Sequence, residues 1–138
     1  MSGAYLKGYK ATGQLVLCGP RALEKAQLCA EIVWKRLRAA GCEYEHTDAE
    51  YLGASTVHAG IAPAPAEPAE IVLRLSVKDP DRKKVERFGR EIAPLVTAGP
   101  AGVTGFAGGR PKAQEIVAYW PTLLPRELVA WTVTTEEV

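Results

Sequence analysis

The 138 residues contain only two histidines and three cysteines, and neither type is grouped at metal-ligand spacing. Cys18, Cys29 and Cys42 are odd in number, widely separated and form no CxxC pair, so a zinc site is excluded on spacing. They are expected to be reduced, mostly buried small apolar residues. A catalytic thiol would need a neighbouring base, and only His46 and His58 supply an imidazole. An excess of charge of either sign is lacking too. The formal net charge is +1, which gives no long-range attraction to nucleic acid or to an anionic membrane. No apolar run approaches the roughly 20 residues that span a bilayer. The opening "MSGAYLKGYKATG" has no apolar core of a secretory signal, so the cytoplasm is the default location.

What is present is ordinary for a globular chain: 47% hydrophobic and 24% charged residues. The length suits one domain, residues 1–138, with a core of its own. Residues 1–13 read as an N-terminal arm. The apolar run Leu15-Val16-Leu17 between Gly13 and Gly19 then predicts a buried strand. Pro20 suits the first position of a helix, whose buried stripe is Leu23, Ala26, Ala30, Val33 and Leu37, widened by Ile32 and Trp34. Gly41 stops it. "CEYEHTDAEYLG" is weakly strand-like and too charged for a central strand, so it is expected at an edge. Residues 53–69 form a proline-rich loop.

"EIVLRLSVKD" is the clearest strand, with Ile71, Leu73, Leu75 and Val77 alternating against Glu70, Arg74, Ser76 and Lys78. A second helix follows. Asp79 is its expected N-cap, Pro80 its first residue, and Val85, Phe88, Ile92, Leu95 and Val96 its buried stripe. Pro94 is expected to kink or tighten the last turn, and Gly99-Pro100 to end it. "EIVAYWP" is a further strand, and the alternation of Val129, Trp131 and Val133 in the tail marks a candidate extra edge strand. The order strand, helix, strand, strand, helix, strand predicts an α+β fold: a ferredoxin-like βαββαβ two-layer sandwich with both helices on one face of an antiparallel sheet. A small parallel α/β sheet is the alternative, disfavoured by the two adjacent middle strands.

The segment 99–113, "GPAGVTGFAGGRPKA", is the main functional candidate. Gly102, Gly105, Gly108 and Gly109, with Thr104 among them, can present successive N–H groups to an anion, and Arg110 and Lys112 add charge. The spacing does not match a nucleotide phosphate loop, and the segment leads into a strand rather than a helix. A mobile surface loop and a contact with a larger partner through Val103, Phe106 and Trp120 are the competing readings. His58 and His46 are weak candidates for proton transfer, with no serine, cysteine or paired carboxylate in sight to work with. Asp79 and Asp81 are explained by helix capping. Tyr119, Trp120 and Trp131 are expected in packing or an interface, since the RNA-platform signature is missing. Lys83, Lys84, Arg87 and Arg90, offset by nearby acids, read as a solvated helix face.

The words "FGREIAPL", "GPAGVTGFAGGRPK" and "YWPTLLPRELV", within Val77 to Val129, resemble the C-terminal part of acyclic terpene utilisation (AtuA-like) proteins. "GYKATGQLVLCGPRALEKAQLCAEIVWKRL" is similar to the preceding segment of that family. The resemblance implies a ferredoxin-like domain that follows a much larger domain or occurs as a separate small protein. It also implies a link to the breakdown of branched, terpene-derived acids as coenzyme A thioesters, with no set of catalytic residues to carry over. The large domain is absent here, so an accessory subunit or domain is expected, with a coenzyme A thioester as the candidate ligand and a larger AtuA-like partner. A self-sufficient acyl-coenzyme A hydratase or lyase using His58 with Arg110 is the first alternative. A ligand-binding or regulatory homo-oligomer is the second.

Overall fold

The computed structural model describes residues 2–57, 61, 63, 65–105 and 108–136. Its centre is the pairing of two strands, β1 (Ser2–Cys18) and β3 (Glu70–Asp79), antiparallel from Tyr9↔Asp79 to Cys18↔Glu70. From Tyr9 onward in β1, and throughout β3, odd-numbered residues face one way. Ala11, Leu15, Leu17, Ile71, Leu73, Leu75 and Val77 are all buried, as the period of two in β3 predicts. The edge strand β2 (His46–Leu52) pairs with β3, and the two-residue β4 (Val103–Thr104) and β5 (Gln114–Pro121) both pair with the other side of β1. The result is a five-stranded, wholly antiparallel sheet in an α+β fold, consistent with the expected sandwich and unlike the parallel alternative.

The helices α1 (Ala22–Ala39) and α2 (Arg82–Ile92) lie on the odd-numbered face. Their buried stripes, Ala22, Ala26, Cys29, Ala30, Val33 and Leu37 from α1 and Val85, Phe88 and Ile92 from α2, close one core against the sheet. Leu23 is only half-buried, at the rim. The other sheet face is polar. Arg74 bonds Glu50 through Nε and Nη2 at 2.5 and 2.7 Å, holding that carboxyl below the usual range, and Thr12 meets Ser76 at 3.1 Å.

Several boundaries differ from the sequence expectation. Residues 2–13 are the first part of β1 rather than an arm. Their strand state comes from cross-strand pairing with β5 and β3, and Lys7 is the extra residue where the β5 register shifts between Leu6 and Gly8. Pro20 lies before α1, because Arg21 adopts a left-handed φ of 60° and the helix starts only at Ala22. Asp81, not Asp79, caps α2, accepting from the Lys83 N–H at 2.8 Å. The ladder of β3 still runs through Asp79, so no helix can begin there. Asp79 is instead buried, accepting from the N–H groups of Asp81 and Glu45.

Pro94 does more than the expected kink or tightening: α2 ends at Ile92, and a separate single turn, α3 (Leu95–Ala98), follows before Gly99. The extra C-terminal edge strand does not form. After β5 the chain makes a 3₁₀ turn (Arg126–Leu128), and residues 129–136 join no strand and are exposed. A strand needs an accepting edge as well as an alternating sequence, and the tail does not return to its own sheet.

Candidate functional site

The glycine-rich segment is divided by the sheet. Its first part is structural. Cys18 donates its N–H to the Gly102 carbonyl at 3.0 Å, and Thr104 Oγ1 donates to the Val16 carbonyl at 3.2 Å. Gly102 has φ +91°, and a Cβ there would lie 2.5 Å from the Cys18 oxygen, so only glycine lets this turn meet β1. Val103, expected as a contact with a larger partner, is half-buried against the core because β4 pairs with Leu17. Lys25 of α1 clamps the same turn, donating from Nζ to the Cys18 and Ala101 carbonyls at 2.6 and 3.0 Å.

The second part behaves differently. Gly105, Gly108 and Gly109 are exposed, with open space where each Cβ would stand, and Gly108 and Gly109 have φ of +84° and +74°. The chain then packs inward at Pro111, between Gly13 of β1 and Gly89 of α2. A methyl group on Gly89 would collide with the Pro111 carbonyl oxygen, so glycine is what permits this approach. The contact lays Arg110 and Lys112 along α2 beside Arg82, Glu86 and Arg90, and together they line a recess of about 340 Å³.

This recess is strongly cationic. Glu86 is its one carboxylate among the described residues, and it is already engaged by Arg82 Nε at 2.9 Å, with the Arg82 guanidinium also 6.0 Å from the centre of the Tyr9 ring. Arg90, Arg110 and Lys112 have no carboxylate partner among the described residues. Three uncommitted cations around one recess favour an anion with several oxygens, such as a phosphate or carboxylate, which guanidinium groups can grip through two donors.

Of the expected anion-binding set, then, the structure brings together Arg110 and Lys112, with Gly108 and Gly109 just before them. Gly102 and Thr104 are placed further along β1. Arg82 and Arg90 were missed because α2 read as a solvated face. The available signal was their four-residue spacing, Arg82, Glu86, Arg90, with Gly89 beside it. His58 and Phe106 lie outside the described residues. His46 is exposed on β2, 3.8 Å from its neighbour Glu45. Trp120 is exposed on the polar sheet face, edge-on to Tyr5 at 6.4 Å. Cys29 is buried, which raises its thiol pKa, and Cys18 and Cys42 are half-buried; all three are free.

Replacing Gly89 with alanine tests the assembly of the recess. Despite the better helix propensity of alanine, the variant is expected to lose about 1–3 kcal/mol in urea unfolding, because the 110–113 segment must be displaced. An unchanged midpoint would show that the segment does not depend on this contact.

Fold and site together define an α+β protein with a cationic recess between a helix and a glycine-rich segment. Residues 1–135 match the model of the acyclic terpene utilisation family protein AtuA, and the chain belongs to that family. No curated protein matches it. Family membership links the chain to acyclic terpene utilisation. No helix among the described residues is long and apolar enough to cross a membrane.

Proposed function

We propose that this chain is the accessory subunit or domain of an AtuA-like protein, with a ferredoxin-like fold, working beside a larger cytoplasmic partner on coenzyme A thioesters of branched, terpene-derived acids. The recess at Arg82, Arg90, Arg110 and Lys112 takes a phosphate group of the coenzyme. The observation that carries this reading is the convergence of Arg90, Arg110 and Lys112, all without a carboxylate partner among the described residues, on one recess floored by Gly89 and Pro111. A volume near 340 Å³ suits a phosphate end rather than an entire acyl-coenzyme A, which leaves the acyl group for a larger partner. Trp120, paired with Tyr5 on the open sheet face, is a contact for that partner.

Calorimetric titration tests the reading. Coenzyme A should bind the wild-type chain, and pantetheine, which has no phosphate, should not. The Arg110→Ala/Lys112→Ala variant should bind coenzyme A about 10- to 100-fold more weakly, the value of one or two charge-assisted hydrogen bonds. Equal and negligible heats for both proteins would remove the proposal.

A further inference from the structure

The tail that fails to pair and the sheet edge that lacks a neighbour belong together. Strand β5 is paired only with β1 among the described residues, so its outer edge carries open N–H and C=O groups. From Ile116 to Trp120 that edge has no charged residue, and Val117 and Tyr119 are 55% and 74% exposed. The opposite edge strand, β2, is blunted by exposed His46 and Asp48. Beyond the turn at Arg126–Leu128, residues 129–136 alternate as a strand should yet lie exposed, with Trp131 and Val133 at 70% and 74%.

We infer that the tail of one chain adds a strand to the β5 edge of a second copy, and that the exchange is mutual around a two-fold axis. Antiparallel pairing with Trp131 opposite Tyr119 sets the register. Val133 then falls opposite Val117, an apolar row on the helix side of the sheet, and Thr132 opposite Ala118. The same register carries Glu136 to Gln114, two residues from Lys112, so the acidic end of the tail approaches the basic segment. Shifting by one residue would destroy both matches. The edge, the tail and their register are observations independent of the ligand proposed above, even though the acidic end of the tail comes near Lys112 of the recess.

Sedimentation of the wild-type chain over a wide concentration range should show a dimer. A chain ending at Leu128, and separately a Thr132→Pro variant in the full chain, should sediment at half that mass with unchanged circular dichroism, since proline removes a ladder donor from the tail alone. Tyr119→Cys and Trp131→Cys chains mixed under oxidation should give a disulfide-linked heterodimer that the wild type, with its native cysteines, does not. A wild-type monomer throughout, or a dimer that survives both tail variants, would overturn the inference. So would a double Tyr119→Cys/Trp131→Cys chain that closes only an internal disulfide, which would mean a tail folded on its own sheet.

Discussion

Replacement of Phe88 by alanine is expected to lower the unfolding free energy by about 4 kcal/mol, the range for truncating a large buried ring. Phe88 is fully buried in the middle of α2 and stacks on Trp34 of α1, with centroids 6.2 Å apart and planes 18° apart. It belongs to the single cluster joining both helices to β1 and β3, so the lost volume cannot be refilled by one neighbour moving. Phe88→Leu keeps most of that volume and is expected to cost less than half as much. Urea unfolding followed by far-ultraviolet circular dichroism measures both. Equal midpoints for the wild type and the alanine variant would show that the ring is not a core element. Since Gly89 is the next residue, loosening α2 at this point should also weaken the coenzyme A binding proposed for the recess it floors.

The second large effect concerns the buried carboxylate of Glu91, only 3% exposed. Arg36 of α1 donates from Nε to one oxygen at 2.6 Å, and Arg87 donates from Nη2 to the other at 2.6 Å. Removing both cations leaves a charge in the helix interface without compensation. The Arg36→Ala/Arg87→Ala variant is expected to lose about 3–5 kcal/mol. Each single variant should lose less, since one strong hydrogen bond survives. Arg87→Ala should be the milder of the two, because Arg87 Nε is itself buried without a hydrogen-bond partner among the described residues, a cost that truncation relieves. Adding Glu91→Gln to the double variant should recover part of the loss by removing the charge but not the shape. Chemical unfolding of the set decides it, and a double variant as stable as the wild type would show that water replaces both guanidinium groups at no cost.

The parts of the fold readable from the sequence are those whose signal is local. The period of two in Glu70–Asp79 and the three- and four-residue steps of Ala26, Ala30, Val33 and Leu37 each follow from one element having one buried face. Pro94 broke its helix for a reason contained in its own ring. The first part of β1 had no such mark. Residues 3–7 are exposed, and only pairing with β5 makes them a strand. The displacement of the α2 cap from Asp79 to Asp81 likewise depends on how far the ladder to Tyr9 runs. Arg110 and Lys112 stood out as charges after a run of glycines. Their union with Arg82 and Arg90 required Pro111 to seat on Gly89, a contact between segments more than twenty residues apart.

The amino-acid order alone therefore settled the α+β class, the identity of the buried faces and the family likeness, because periodicity and short motifs are properties of neighbouring residues. Tertiary structure alone decided which half of the glycine-rich segment is consumed by the sheet, which cations share a recess, and that the strand-like tail is left unpaired by its own chain. Those outcomes depend on which backbone edges and helix faces come within contact distance, and that is set by long-range pairing.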